Sequence, residues 1–269
     1  GKSILHFEIG EPDMKTPKNV MQAGIQAIRN NKTHYEPSIG ITELRKAVQD
    51  EVEKTRGYRP ALDQIVITPG LKPGIFFSML AIINPGDEVI YQDPGYPTYG
   101  SVTSFLGAKG IMVPLLEENE FRMNPEDIKE KITEKTKLII VNSPQNPTGS
   151  VMTKSELEAI AELAEEHDIF IVSDEIYSKM TYETDHYTPT SRDEAKERTV
   201  LLDGFSKYYA MTGWRLGYMV VPVNMAERLK DFLVSAVSCT ASFTQWAGIE
   251  ALTGNQKFIS DMMKRFKEK

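Results

Sequence analysis

The sequence is poor in the residues that would suggest a disulfide, a metal site or a nucleic-acid partner. It has one cysteine, Cys239, which excludes an internal disulfide, and its four histidines are scattered without metal-ligand spacing. The net charge of −7 argues against nucleic acid or an anionic membrane surface, because either partner would favour a basic face. We therefore expect a protein without a metal site that works in a reducing compartment, the cytoplasm.

Long apolar segments are also missing. No apolar run is long enough to span a bilayer, and the N-terminal residues lack the apolar core of a signal peptide. Neither an internal repeat nor a low-complexity linker is visible. With 269 residues, of which 41% are hydrophobic and 26% charged, the chain can bury a large core. This composition agrees with a folded enzyme domain, and we expect no membrane partner.

Short apolar runs alternate with helical patterns along the chain, which predicts an α/β fold. Such alternation is typical of a mostly parallel sheet covered by helices on both faces. Thr153 and Glu156 predict a capping box at one helix start. The predicted strands are residues 65–68, 88–92, 111–115, 138–142, 169–173, 200–203 and 217–221, and the predicted helices are residues 17–30, 42–56, 73–83, 96–106, 125–133, 154–167 and 225–236.

A lysine in one loop is the strongest chemical signal. Lys207 lies between two predicted strands, and Arg215 lies in the same loop. An isolated lysine is usually a solvated surface residue. Here, however, an amine that can form a Schiff base stands near a guanidinium suited to a phosphate. This pair points to pyridoxal phosphate, which has both an aldehyde and a phosphate.

Two other polar residues follow predicted strands. Asp174 is placed to pair with the protonated pyridine nitrogen of such a cofactor, although an aspartate there is more commonly a helix cap. Asn146 is placed to contact the cofactor's phenolic oxygen, although its Asn-Pro-Thr-Gly sequence is typical of any tight turn. Open α/β sheets bind ligands at the carboxyl ends of their strands. We therefore expect Asn146, Asp174 and Lys207 to share one site.

Six short motifs occur in order along the chain. They are Gly10-Glu11-Pro12-Asp13; Tyr35 with Gly40 and Glu43-Leu44-Arg45; Pro94-Gly95-Tyr96-Pro97; Asn146-Pro147-Thr148-Gly149; Ser173-Asp174-Glu175-Ile176-Tyr177; and Ser206-Lys207 with Gly213-Trp214-Arg215-Leu216-Gly217. With these motifs the chain resembles the fold-type I pyridoxal-phosphate enzymes, most closely the class I aminotransferases of the aspartate aminotransferase type. The resemblance runs across the whole chain.

The resemblance implies a role for each site residue. Lys207 would carry the cofactor as an aldimine and transfer protons, while Asp174 would pair with the ring nitrogen. Tyr177 would assist Asn146 at the phenolic oxygen, and Tyr96 would stack on the ring. The phosphate would be bound by Ser206, Arg215, the backbone of Leu71 and Lys72, and Tyr35 from a second subunit, whereas Ile9, Gly10 and Asn146 would contact the substrate.

The same resemblance implies a ping-pong exchange of an amino group between an L-amino acid and a 2-oxo acid, in a homodimer with shared active sites. Residues 1–34 would belong with a small domain, residues 35–269 would form the large cofactor-binding domain, and the rest of the small domain would be absent. Such a piece is expected to bind the cofactor and to turn over poorly. Two alternatives stay open, which are a carbon–sulfur lyase on the same fold and a non-catalytic cofactor-binding regulatory module. The sequence does not select the amino-acid donor.

Overall fold

The computed structural model describes residues 10–269 of the chain. Ile9, one of the predicted substrate contacts, lies outside the described residues. In chain order the strands are β1 (Ile65–Thr68), β2 (Glu88–Asp93), β3 (Lys109–Pro114), β4 (Thr136–Asn142), β5 (Phe170–Asp174), β6 (Thr199–Gly204) and β7 (Gly217–Val220). The helices are α1 (Lys18–Arg29), α2 (Thr42–Arg56), α3 (Leu71–Ile82), α4 (Pro97–Phe105), α5 (Pro125–Lys131), α6 (Lys154–Glu166), α7 (Val223–Ala236), α8 (Ser242–Thr253) and α9 (Lys257–Glu268).

The strands form one seven-stranded sheet in the order β1-β7-β6-β5-β4-β2-β3. The five strands from β6 to β3 run parallel, and β7 runs antiparallel to both β6 and β1. Asn142 lies opposite Asp174 in the register, and Asp174 lies opposite Leu202. The carboxyl ends of β4, β5 and β6 therefore meet at one edge of the sheet. The predicted α/β fold with a mostly parallel sheet is confirmed.

Side chains alternate between the two faces of the sheet, and each face has its own core. Leu201 and Tyr218 pack with residues of α2 and α8 on one face, which α6 also covers next to β5. Leu202 and Met219 point the other way and pack with residues of α3, α4 and α7. Consecutive residues at a strand end therefore lie on opposite faces of the sheet and have different neighbours.

The predicted elements agree with the structure to within two residues at each end. β1 and α2 occupy the same residues as predicted, and the capping box is confirmed, because Thr153 Oγ1 accepts a hydrogen bond from the Glu156 amide. The start of α3 shows one of these two-residue differences. α3 begins at Leu71 and not at Pro73, because a proline in the first helical turn lacks only an N–H that needs no helical partner.

The helix α8 was not predicted. α8 packs against both α1 and α2 and has buried residues around its circumference, so it lacks the polar stripe by which an amphipathic helix is recognised. Its Ala247 lies near Gly24 of α1, where an added Cβ would come within 2.7 Å of the Trp214 ring.

A domain division at residue 34 stays a prediction. Between residues 10 and 269, no helix is long and apolar enough to cross a membrane.

A buried arginine joins the ends of two central strands. Arg56, the last residue of α2, donates from Nε to Glu175 Oε2 at 3.0 Å and from Nη2 to Asp203 Oδ2 at 2.6 Å. All three side chains are at most 1% exposed. Burial alone would raise the pKa of Glu175, but the charges of Arg56 and His186 outweigh burial and lower this pKa to about 2. Glu175 is therefore ionised, and both carboxyl groups have the Arg56 guanidinium as a hydrogen-bond donor.

We expect Arg56→Met to lower the free energy of unfolding by roughly 3–5 kcal/mol, because it leaves two buried carboxylates without their cation. Urea denaturation at neutral pH measures this loss. Arg59→Met is the matched control, since its pairs with Asp50 and Glu53 are exposed, and it should cost much less stability than Arg56→Met. Neutralising both carboxylates in the Arg56→Met background should recover part of the stability. Equal losses for Arg56→Met and Arg59→Met would contradict the assigned role.

Candidate active site

A cavity of about 890 Å³ opens at the carboxyl edge of β4, β5 and β6, beside the N-termini of α3 and α4. The register that aligns these strand ends also brings together side chains that are far apart in the sequence. The predicted site residues on the cavity wall are Gly10, Leu71, Lys72, Tyr96, Asn146, Asp174, Tyr177, Ser206, Lys207 and Arg215.

Lys207 is half-buried in the loop after β6, and its Nζ donates a hydrogen bond to the carbonyl oxygen of Gly10 at 2.7 Å. Burial lowers the pKa of the Lys207 amine, against the raising effect of Tyr96 and Glu11. A lower pKa increases the fraction of neutral amine, the form that attacks a carbonyl carbon. This lysine is suited to nucleophilic and proton-transfer chemistry.

Asp174 is a buried carboxyl at the end of β5. Its Oδ2 accepts a hydrogen bond from Tyr99 Oη at 2.8 Å, and its Oδ1 accepts one from the Ile176 amide at 3.3 Å. Burial raises the pKa of Asp174 to about 6, although both hydrogen bonds oppose this shift. Neither hydrogen-bond donor is a cation, so a positively charged group bound in the cavity would stabilise the ionised form.

The phosphate end of the cavity is built from glycine and arginine. Gly70 precedes α3 with φ +87°, and a Cβ on it would lie 2.2 Å from Arg215 Nη2. A Cβ on Gly217 would lie 3.0 Å from the Gly70 carbonyl carbon. The guanidinium therefore packs directly against the backbone that begins α3, whose first N–H groups are free to bind an anion. Leu71 and Lys72 occupy the first two positions of this helix.

Aromatic and amide groups form the rest of the wall. Tyr96 precedes α4, and its ring centroid lies 5.8 Å from Lys72 Nζ. The Tyr177 ring centroid lies 5.9 Å from Lys207 Nζ. Burial, followed by the charge of Asp174, raises the pKa of Tyr177 to about 12, and a hydrogen bond to Asn146 opposes the shift. Tyr177 is therefore a hydrogen-bond donor at neutral pH.

Sequence reasoning missed two residues that support this wall. Asn142, the last residue of β4, donates to the Asp174 carbonyl oxygen at 2.9 Å and accepts from the Asn146 amide at 2.8 Å. Tyr99 follows Tyr96 by three residues, so both face the same side at the start of α4. The spacing of the two tyrosines was the available signal, but their partners become clear only from the fold.

Tyr35 is the one predicted cofactor contact, among the described residues, that this cavity does not include. Its side chain is 87% exposed. The expectation that it reaches a second subunit stays a prediction.

The family model for aminotransferase class I and II matches residues 2–269. The chain belongs to this family. It is 38% identical, over 98% of its length, to the probable aspartate aminotransferase of Methanocaldococcus jannaschii, of which it covers 70%. It is 39% identical, over its full length, to the probable aspartate/prephenate aminotransferase of Aquifex aeolicus, of which it covers 69%. The crystal structure of an aromatic aminotransferase from Pyrococcus horikoshii matches with a TM-score of 0.94 and 37% identity, over 97% of this chain and 71% of that chain.

As a class I and II aminotransferase, the protein is a transaminase that uses pyridoxal phosphate, which confirms the predicted family, enzyme class and cofactor. The groups that line the cavity also fit this cofactor. An amine, a buried carboxyl that accepts from a phenol and a backbone amide, and an arginine against a glycine-bounded helix N-terminus surround the same space.

The pKa of Asp174 makes the stability of the cofactor-free aminotransferase depend on pH. The folded carboxyl keeps its proton up to about pH 6, whereas the ordinary pKa is 3.8. The folded state therefore binds more protons between these values, and stability falls as pH rises. Asp174→Asn removes this dependence, so its stability relative to the parent should rise by about 2 kcal/mol between pH 4 and pH 7.

Urea denaturation of both cofactor-free proteins at several pH values measures this difference. Asp231→Asn, on the exposed side of α7, makes the same substitution away from the cavity and is the control for loss of a carboxyl group. A pH-independent difference for Asp174→Asn would contradict the raised pKa.

Proposed function

We propose that this aminotransferase moves an amino group between an L-amino acid and a 2-oxo acid at the cavity between Lys207, Asp174 and Arg215. The observation that carries the proposal is the convergence of these three residues on one cavity from separate parts of the chain. Each group suits a different end of pyridoxal phosphate. Lys207 suits the aldehyde, Asp174 the ring nitrogen and Arg215 the phosphate.

Bound pyridoxal phosphate supplies an aldehyde that joins amines and a ring that takes up negative charge. Arg215, Ser206 and the N–H groups of Leu71 and Lys72 would hold the phosphate. Asp174 would keep the ring nitrogen protonated, and Tyr177 and Asn146 would donate to the phenolic oxygen. Tyr96 would cover one face of the ring, and such a contact contributes about 0.5–1.5 kcal/mol beyond burial of area.

Lys207 has two tasks in this scheme. Its neutral amine would hold the cofactor at the aldehyde carbon, the atom that a substrate amine also attacks. Once released from that carbon, the Lys207 amine would take the proton from the α-carbon of the substrate, as a general base. The carbonyl oxygen of Gly10 accepts a hydrogen bond from Lys207 Nζ at 2.7 Å and would help to orient the amine for both tasks. We assign the substrate carboxylate to the neighbourhood of Gly10 and Asn146, with Ile9.

We also propose that the active protein is a cytoplasmic homodimer and that Tyr35 contacts the phosphate bound by the other subunit. The support is the 87% exposure of this tyrosine, together with the absence of Tyr35 from the cavity of its own chain in the part described. The donor amino acid is not fixed by the cavity. Relatives similar to this chain are named as acting on aspartate, prephenate or aromatic amino acids.

We expect pyridoxal phosphate followed by borohydride to leave a pyridoxyl group on Lys207, because its half-buried amine has a lowered pKa and lies in the cavity. Peptide mass spectrometry locates the label. Lys207→Ala should abolish it. Lys72→Ala tests the other lysine on the described cavity wall and should leave the label on Lys207. A label on Lys72 in the parent protein, or its persistence in a folded Lys207→Ala variant, would contradict the assignment.

Product identity tests transamination against the two alternatives. With aspartate, phenylalanine or alanine, the cofactor-loaded protein should yield the matching 2-oxo acid and pyridoxamine phosphate in equal amounts, and a second 2-oxo acid should regenerate pyridoxal phosphate. A carbon–sulfur lyase would instead release pyruvate, ammonia and a thiol from a β-thio amino acid and would leave pyridoxal phosphate unchanged. Binding of the cofactor without any product would favour the regulatory module. Chromatography of products and cofactor forms distinguishes the three results.

A further inference from the structure

Tyr99 directs its buried hydroxyl at Asp174. The tyrosine is 1% exposed on the first turn of α4. Its Oη lies 2.8 Å from Asp174 Oδ2, across 75 positions of sequence. The opposite carboxyl oxygen accepts the Ile176 amide at 3.3 Å. Both oxygens of Asp174 are thus held from the protein side.

Two hydrogen bonds fix the plane of a carboxylate more closely than one. The Ile176 amide fixes Oδ1 from the adjacent turn of the chain, and Tyr99 fixes Oδ2 from a different helix. The remaining lone pairs of the carboxylate are then free for a donor in the cavity that Asp174 lines. A hydrogen bond from a neutral hydroxyl also favours the ionised carboxylate over the acid.

We propose that Tyr99 is a positioning residue, which aims the Asp174 carboxylate at the ring nitrogen of pyridoxal phosphate and keeps it ionised there. This inference rests on the role proposed above for Asp174. It gives α4 two tasks within one turn. Tyr96 covers the ring face, and Tyr99 orients the carboxylate at the ring edge. The two tyrosine rings support each other in a T-shaped contact, with centroids 5.7 Å apart.

The charge of Asp174 also depends on its other neighbours. Glu175 and Tyr177 follow it in the chain, Asp203 and Lys207 lie on β6 and its loop, and Tyr99 lies on α4. The two acidic neighbours raise the pKa of Asp174, and the Tyr99 hydrogen bond lowers it. Burial, followed by the charge of Asp174, holds the pKa of Tyr99 well above its usual value, so Tyr99 stays a donor.

Tyr99→Phe removes only this hydroxyl and tests the proposal. The dissociation constant of pyridoxal phosphate, measured by fluorescence titration of the cofactor-free protein, should rise about tenfold or more, the usual effect of losing a hydrogen bond to a charged group. The second ligand is the carbocyclic analogue, in which a C–H replaces the ring nitrogen. Tyr99→Phe should change its dissociation constant by less than about twofold, because Asp174 has no ring nitrogen to bind.

Tyr218→Phe is the matched control. It removes another buried hydroxyl, which donates to Asp203 at 3.1 Å on the opposite face of the sheet. Its effect on the two ligands should be equal. The proposal is overturned if Tyr99→Phe binds both ligands as the parent does, or weakens both equally, as a packing defect would. It is also overturned if Tyr218→Phe loses affinity for pyridoxal phosphate alone.

A double-variant comparison covers the case in which Tyr99→Phe does not fold. Asp174→Asn replaces the buried carboxylate with a neutral amide, which is less destabilised when the Tyr99 hydroxyl is removed. Tyr99→Phe should therefore cost less stability in the Asp174→Asn background than in the parent. Rescue of folding by Asp174→Asn supports action through Asp174, and an unfolded double variant overturns it. The borohydride label separates the two proposals. A parent protein with no label on Lys207 overturns the proposed function, whereas a labelled parent with an unaffected Tyr99→Phe variant overturns only this inference.

Discussion

The buried guanidinium of Arg56 binds carboxylates at the ends of two neighbouring strands, and the active site is built on the same strand ends. Glu175 directly follows Asp174, and Tyr208, which directly follows Lys207, donates to Asp203. Each proposed catalytic group is thus one residue away from a group attached to the Arg56 network. The Arg56 guanidinium would be costly to bury alone, but it is buried together with its two carboxylates. Because these carboxylates lie at the ends of β5 and β6, the guanidinium links the two strands.

Alternation of side chains across the sheet gives two adjacent carboxyls opposite properties. Burial by itself would raise the pKa of both Asp174 and Glu175. Glu175 has Arg56 and His186 on its face, and its pKa is lowered to about 2. Asp174 is held by a phenol and a backbone amide, and its pKa is raised to about 6. One carboxyl has its cation in the protein, and the other is available to a cationic ligand.

Much of the fold could be predicted because its signals are local. The strand β1 and the helix α2 follow from short patterns of apolar residues, and the Thr153 cap follows from a four-residue motif. α8 could not be predicted in this way, because its burial depends on α1 and α2 packing around it. At the site, Asp174 and Lys207 were recognisable from their places after apolar strands. The Tyr99 contact was not, because its partner is 75 residues away.

The sequence by itself determined the order of strands and helices, the family, and the candidates for amine, carboxylate and phosphate contacts, since each depends on residue types in a short stretch. Only the tertiary structure decided what each candidate contacts. Arg56 meets partners 119 and 147 positions away, and Gly70 and Gly217 allow Arg215 to approach the start of α3. These contacts depend on the register of parallel strands and on close approach of backbones, which are properties of the assembled sheet and not of any single segment.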